Sequence, residues 1–453
     1  MTSGIRTKMT GTRSLEGDAG DSELSSQTHM HSRAESHERV EVAGVTMRHW
    51  PYPYRAMLAV CSDLDETPDR NTYWDTAEFL NTKRTTPMGE GLGLEVGNTI
   101  YFDMAADQFA YWNTDDVGRT MVQSLIRSGH IDCLHSFGDL ATTREHAQRA
   151  LDELEQNGCH LDVWIDHAQA ITNFDGGIMM GEGDASSSPA YHADLTVKHG
   201  VQFVWRGRVS SVLGQDVPPQ LGGILSPAHP IASGKTFAKE LSKQMLSRMG
   251  NEKYAMHAPN RILTRSTLRD GQPVYEFLRC NPHWGGVSSH ETAWGFGDVL
   301  TDRMIAQLVD REGGCILYTH LGKSEPDAKV PLGTSAIDGF RRLATAQADG
   351  NLLVTTTRRL LGFCRAKEEI GYEATRCCDS IVIDIDTTKN RYATLPEIID
   401  RDLEGLTFYT PDAGQTSVRI DGEDVPQVMR NAADATGRAS VSIPWSRLEF
   451  PER

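Results

Sequence analysis

Short apolar segments alternate with helical patterns along most of this chain, and that alternation constrains the fold more than any other feature. Residues 56–61 form an apolar run typical of parallel strands that are buried on both faces. Residues 116–128 place apolar side chains at helical spacing, and residues 131–134 form the next apolar run. Strands that alternate with helices indicate a parallel α/β barrel or sheet.

The same alternation continues to about residue 368. We predict further strands at 99–102, 162–165, 201–205, 274–278, 315–319 and 352–356, and further helices at 143–156, 301–310 and 335–346. Beyond residue 370, short apolar runs are separated by Asp, Gly and Pro turns, as at 380–385, 406–409, 417–420 and 439–443. The sequence therefore predicts an α/β domain over residues 45–368 and a small β-sandwich over residues 371–453.

Residues 1–44 are rich in Ser, Thr, Gly, Glu and Arg and carry few large apolar side chains. Such a segment buries too little surface to offset its ordering entropy, so we predict a disordered leader. We find no apolar run near the roughly 18 residues that a membrane span needs, and no secretory signal. Together with eight scattered cysteines that show no C-x-x-C spacing, these features favour a cytoplasmic protein with reduced thiols.

The formal net charge of −17 bears on the partners of this 453-residue chain. A surface that acidic disfavours nucleic acids and anionic membranes, because both are polyanions. Charge alone does not identify the partner that the chain does bind.

Two carboxylates follow the first apolar run. Asp63 and Asp65 are two residues apart, so an extended backbone points both side chains to the same side. Two like charges held close raise one of the two pKa values unless a cation lies between them. One interpretation is a metal ion held by one carboxylate, with the other serving as a base. A solvated acidic loop that caps a helix explains the motif equally well.

Two later strand ends carry histidines. His135 and Asp139 are four residues apart, so one helical turn would bring both side chains to one face, where they would suit Zn²⁺ or a similar cation. A helix start with Asp139 near the dipole explains this pair as well. His320 follows the run 315–319, and the carboxyl end of a barrel strand is where catalytic groups collect. A lone histidine there is more often structural.

Together, these strand ends resemble the polysaccharide deacetylase family, a NodB-homology fold also called carbohydrate esterase family four. Its first motif ends a strand with a base Asp and a metal-binding Asp, which Asp63 and Asp65 resemble with one residue between them. Its second motif, His-Ser/Thr-x-x-His, is similar to the segment from His135 to Asp139, with Asp in place of the second His. Its last motif, an apolar strand that ends in a catalytic His, is similar to the strand end at His320.

The resemblance covers roughly residues 50–365 and implies a seven-stranded (β/α) barrel. It implies a metal-dependent hydrolase that cleaves an amide C–N bond, deacetylating an N-acetylated sugar or glycan. Asp65, His135 and Asp139 would hold the metal ion, Asp63 would be the base, and His320 would be the acid. The ion implied is Zn²⁺, with Co²⁺, Mn²⁺ or Ni²⁺ as alternatives, and the substrate is a carbohydrate or a small amide.

The chain departs from the family pattern at several places. Asp139 in place of His makes the metal site more anionic, which would change the metal or the reaction. The family's middle motifs, an Arg-x-Pro-x-Gly loop and an Asp-x-x-Asp-Trp strand end, are not clearly present. Candidate substrate-binding residues stand at comparable strand ends, although simple packing explains them as well: Trp164, Asp166, His167, Arg206, His283 and Trp284.

Two other functions fit the same fold. Related seven-stranded barrels include glycoside hydrolases, in which Asp63 or Asp166 would be a nucleophile or an acid and no metal would be essential. The third hypothesis is a catalytically degenerate barrel that binds a carbohydrate without turning it over.

Overall fold

The computed structural model describes residues 40–63, 67–168, 170–283, 292–324, 330–389 and 395–453. These residues form nine α-helices: α1 (Arg70–Asn81), α2 (Asp116–Arg127), α3 (Arg144–Gln156), α4 (Ala193–His199), α5 (Pro230–Arg248), α6 (Asp302–Arg311), α7 (Thr334–Ala348), α8 (Thr357–Glu369) and α9 (Asp400–Leu403).

The strands of the described residues are, in chain order, β1 (Val40–Glu41), β2 (Thr46–Met47), β3 (Ala56–Ser62), β4 (Thr85–Thr86), β5 (Gly89–Glu90), β6 (Gly97–Ile100), β7 (Ile131–His135), β8 (Val163–Ile165), β9 (Phe203–Trp205), β10 (Val209–Ser210), β11 (Leu263–Thr267), β12 (Pro273–Phe277), β13 (Arg279–Cys280), β14 (Gly314–Thr319), β15 (Leu352–Thr355), β16 (Gly371–Cys377), β17 (Ser380–Asp386), β18 (Thr407–Tyr409), β19 (Thr416–Ile420), β20 (Glu423–Asp424), β21 (Met429–Asn431) and β22 (Ser440–Ser442).

One large sheet carries the polar strand ends. Its strands follow the order β10-β13-β14-β3-β6-β7-β8-β9-β12-β11, with β15 also paired with β3, and they curl into a half-barrel. Every pair is parallel except β11 with β12. Because the strands run the same way, the carboxyl ends of β3, β6, β7, β8 and β14 lie at one edge of the sheet.

The predicted alternation of strands and helices is confirmed from β3 to β15, and the mixed α/β class with it. Five helices of the described residues were not predicted from the sequence: α1, α4, α5, α8 and α9. Helix α5 has no inward apolar stripe to find, because its buried residues are Ser233, Glu240 and Gln244. Helix α8 is buried along most of its length, so it also lacks the one-sided pattern that marks a surface helix.

Two smaller sheets contain the C-terminal strands, in the orders β1-β16-β17-β19-β20 and β2-β18-β22-β21. The predicted β-character after residue 370 is therefore confirmed. Each sheet also takes one strand from the start of the described chain, and Val40–Glu41 lies inside the segment predicted to be a leader. The described residues form one compact unit.

Ion pairs link α8 to the rest of this unit. Arg358 contacts Asp162, beside β8, at 2.5 Å and Asp402, in α9, at 2.6 Å. Arg359 contacts Glu95 and Glu404 in the same way. Among the residues that the structure describes, no helix combines the length and the apolar character needed to cross a bilayer.

Candidate active site

Three of the side chains singled out in the sequence lie together at the carboxyl edge of the large sheet. Asp63 directly follows β3, His135 is the last residue of β7, and His320 directly follows β14. Oδ2 of Asp63 lies 3.0 Å from Nε2 of His135 and 3.9 Å from Nε2 of His320. The hydroxyl group of Tyr318 lies 2.7 Å from the same nitrogen of His320.

The three side chains are removed from solvent, with exposed fractions of 0% for Asp63, 1% for His135 and 4% for His320. The contact between Asp63 and His135 is close but poorly aligned. Three buried atoms lack a hydrogen-bond partner of ordinary geometry among the described residues: both carboxylate oxygens of Asp63 and Nδ1 of His135. Buried polar atoms without partners are costly, so a cluster of them indicates a place where a ligand, an ion or a water molecule binds.

The surroundings set the charges of the buried pair. Burial alone would raise the pKa of Asp63, but His135, Arg279 and His320 outweigh it and hold that pKa below its ordinary value. Burial lowers the pKa of His135 to about 4, against the opposing effect of Asp63. At neutral pH the site therefore holds an ionised carboxylate beside a neutral imidazole.

Arg279 also belongs to this cluster, although its role was not predicted from the sequence. Its guanidinium group lies between the rings of Trp205, at 4.2 Å, and Tyr318, at 4.6 Å, which is cation–π geometry. Nη2 donates to Sγ of Cys61 and lies 4.0 Å from Oδ1 of Asp63. Arg279 is completely buried. Because charged residues are rarely buried without a partner, an arginine in an otherwise apolar strand is the sequence signal that could have identified it.

Asp139 contacts a residue that the sequence did not pair with it. Its Oδ1 lies 2.9 Å from Nδ1 of His167, which follows β8, and this hydrogen bond is the main cause that lowers the pKa of Asp139. The ring of His167 meets that of His135 edge to face at 4.6 Å, and Tyr101 contacts both rings. Two histidine–aspartate pairs therefore lie side by side.

The prediction that a helical turn joins His135 to Asp139 is wrong. The three residues between them have positive φ, at 46° for Ser136, 63° for Phe137 and 104° for Gly138. Because of this left-handed turn, Asp139 does not lie on one helical face with His135. It lies beside His167, which follows β8. Oγ1 of Thr172 donates to the carbonyl group of Ser136 at 2.7 Å and holds the turn in place.

Trp164 and Asp166 were both predicted to bind substrate. In the structure they form hydrogen bonds that hold the loop after β8 in place. Trp164 is fully buried and donates from Nε1 to Asp166. Asp166 also accepts from the backbone N–H groups of Phe174 and Asp175, and burial raises its pKa to about 7. Their polar atoms are thus engaged inside the protein, which corrects the interpretation that they line a pocket.

The remaining candidates have other partners or lie outside the described residues. Arg206 forms an ion pair with Glu276 at 2.6 Å. His283 is half-buried in the segment after β13, and its backbone N–H donates to Asn281. Asp65 and Trp284 lie outside the described residues.

The chemistry of the buried pair suits a divalent ion in part. An ionised carboxylate and a neutral imidazole are the protonation states that metal binding requires, and both have unsatisfied buried atoms. Across the described ranges, no three His, Cys, Asp or Glu side chains stand grouped as a ready ligand set. Asp139 is bonded to His167, so the described residues do not assemble the ligand set that the resemblance implies.

We compared the chain with protein-family models, with curated proteins and with solved structures, and none of them matches it. The site must therefore be interpreted from its own geometry.

Proposed function

We propose that this chain is a hydrolase of amide C–N bonds that acts on an N-acetylated sugar or glycan and depends on a divalent metal ion. One observation carries the proposal: Asp63 and His135, from different strands, meet at 3.0 Å in a buried cluster with unsatisfied polar atoms. The mixed α/β fold with its half-barrel supports the proposal, and we extend it to a seven-stranded barrel of the deacetylase type with a C-terminal β-sandwich.

The positions of Asp63 and His320 suit a base and an acid. Asp63 is ionised and can take a proton from an attacking water molecule as the water oxygen bonds to the carbonyl carbon. The C–N bond then breaks, and His320 protonates the leaving nitrogen. Arg279, held between two aromatic rings, keeps positive charge beside Asp63 and so favours its ionised form.

His135 would hold the metal ion together with Asp65, which lies outside the described residues. Zn²⁺ is the ion we propose, with Co²⁺, Mn²⁺ or Ni²⁺ as alternatives. A bound ion of this kind lowers the pKa of water and polarises a carbonyl group. Asp139 is left out of the ligand set because His167 engages it.

Acetate release tests the proposal. The purified chain is incubated with N-acetylglucosamine, its oligomers and small N-acetylated amides, in the presence of each of the four metal ions. We expect acetate release that Asp63→Asn abolishes and that Asp116→Asn, a change at an exposed carboxylate in α2, leaves intact.

Absence of acetate release with every ion and substrate would overturn the proposal. Release of reducing sugar that survives chelation would favour a glycoside hydrolase instead. Glycan binding without any turnover, unchanged by Asp63→Asn, would favour a binding protein.

A further inference from the structure

Helix α5 presents polar side chains to the protein and apolar side chains to solvent. Its buried residues are Ser233, Glu240 and Gln244. Its outer side carries an apolar stripe of four large side chains, with exposed fractions between 41% and 79%: Ile231, Leu241, Met245 and Met249. A surface helix normally has the opposite arrangement, because its apolar side packs on the core. The apolar stripe of α5 therefore indicates a face that another molecule covers.

Exposed apolar side chains are concentrated at this helix. Of the eleven large apolar residues that are exposed in the described part of the chain, five lie between Leu225 and Met249. Contiguous apolar patches on monomeric proteins are rare, whereas single exposed apolar residues are common. The concentration at α5 therefore marks a contact surface.

The order of small and large residues along α5 shows which partner fits. Residues Ile231, Gly234, Ala238, Leu241 and Met245 follow one another at intervals of three and four, the spacing of helices that pair along a seam. In an antiparallel pair of α5 helices related by a twofold axis, Gly234 faces Met245 of the second copy, and Ala238 faces Leu241 of the second copy. Small thus meets large throughout. A Cβ built at Gly234 has nothing within 4 Å, so this position has room for a side chain.

We propose that the apolar stripe of α5 is a homodimer interface, in which two copies of this chain pair antiparallel along the helix. The seam from Ile231 to Met249 is about 27 Å long. Such a seam places the buried area near the lower limit of about 1,000 Å² for specific association. We therefore expect a dimer that dissociates on dilution.

Charge distinguishes this partner from an acidic one. Lys235 and Arg248 are exposed beside the apolar stripe, and Glu240, the only acidic residue of α5, is buried. Two copies of the stripe therefore repel one another electrostatically, as do two chains of net charge −17. Salt screens this repulsion, so it should strengthen the dimer, whereas it would weaken binding to an anionic surface.

Sedimentation velocity of the full chain over a hundredfold range of concentration tests the proposal. We expect Met245→Lys to raise the dissociation constant of the dimer by at least about a hundredfold, because the seam would then enclose a charge without a partner. Met429→Lys is the matched control, since Met429 in β21 is 51% exposed and Met245 is 55% exposed. The control should leave the dissociation constant unchanged.

Disulfide cross-linking tests the antiparallel register. Gly234→Cys and Met245→Cys are prepared separately, each with Cys377 and Cys378 replaced by serine, since the other cysteines are buried. With oxidised glutathione, a mixture of the two variants should form a covalent dimer. Neither variant alone should do so, because identical positions lie about 16 Å apart along an antiparallel pair, beyond the reach of a disulfide.

The contrary outcomes are distinct. A wild-type chain that stays monomeric at every concentration overturns the proposal, and so does a dimer that Met245→Lys leaves intact. Cross-linking of Gly234→Cys alone would overturn the antiparallel pairing. Binding of a monomeric chain to vesicles that contain phosphatidylserine, weakened by salt, would assign the apolar stripe to a membrane surface instead. Thermal unfolding of each variant confirms the fold, and none of these outcomes depends on acetate release.

Discussion

Oδ2 of Asp63 lies 3.0 Å from Nε2 of His135, although their strands, β3 and β7, are separated by β6 in the sheet. Both side chains are buried, and Arg279 and His320 lie within 4.0 Å of the same carboxylate. The negative charge of Asp63 is therefore balanced by neighbouring side chains, and solvent does not screen it.

Asp63→Asn is expected to reduce acetate release by at least about a hundredfold, because the group that takes the proton from water is lost. The measurement is kcat/KM on an N-acetylated sugar with Zn²⁺ present. Asp116→Asn in α2 is the control, since its carboxylate is exposed. Activity of Asp63→Asn within a few-fold of wild type would exclude Asp63 as the base.

Removal of metal is expected to abolish the same activity. A chelator is added and then removed by dialysis, and each of Zn²⁺, Co²⁺, Mn²⁺ and Ni²⁺ is returned separately. We expect activity to return with at least one ion, and His135→Ala to lower the metal content of the loaded chain. Full activity after complete chelation would contradict a metal-dependent reaction.

Gly138→Ala is expected to destabilise the fold by about 2 kcal/mol or more, since strained backbone conformations and steric conflict each cost on the order of 1–3 kcal/mol. Gly138 has a φ of 104°, and a Cβ at this position would collide with the backbone carbonyl of Asp103. Urea unfolding at neutral pH measures the change.

The control for this prediction is Gly271→Ala. Gly271 has a similar φ of 94°, but nothing lies within 4 Å of a Cβ built there. The free energy of unfolding of Gly271→Ala should fall only by the smaller amount that the unfavourable backbone conformation of alanine costs. Equal losses in the two variants would show that the turn before Asp139 tolerates the added methyl group.

His192 is expected to make the fold sensitive to acid. It is completely buried between the carbonyl group of Thr172 and the hydroxyl group of Thr196, and burial lowers its pKa to about 4 from 6.5. Between these values the unfolded chain binds the extra proton and the folded chain does not, so stability falls as pH falls from about 6.5 to about 4. The full effect is on the order of 3 kcal/mol.

Urea unfolding at pH 7 and at pH 4.5 tests this expectation. His192→Gln should be less stable at pH 7 because its hydrogen bonds change, but it should lose less stability on acidification than wild type does. His160→Gln, an exposed change, should keep the wild-type dependence. Identical acid sensitivity in wild type and His192→Gln would contradict the assignment.

Arg358→Met is expected to cost about 3–5 kcal/mol, because it leaves the buried carboxylates of Asp162 and Asp402 without their cation. Arg341→Met, which removes an exposed pair with Asp338, should cost less than about 1 kcal/mol. Unfolding free energies from urea titration compare the two. A loss below 1 kcal/mol for Arg358→Met would show that this ion-pair network adds little to stability.

Local pattern was enough to predict most of the regular elements. The apolar runs at β3, β7 and β14 and the helical spacing of α2 are set by neighbours in sequence, and the structure has these elements close to the predicted bounds. Helices α5 and α8 escaped prediction because the first buries polar residues and the second is buried on most sides, so neither has an apolar stripe.

By itself, the sequence determined that Asp63, His135 and His320 would come near one another, since parallel strands bring their carboxyl ends to one edge. Only the tertiary structure decided their partners. The positive φ angles after His135 turn Asp139 toward His167, and Arg279 reaches Asp63 from a strand far along the chain. The physical reason is that spacing along the chain constrains side chains within one element. Contacts between elements depend instead on loop geometry and on packing across the sheet.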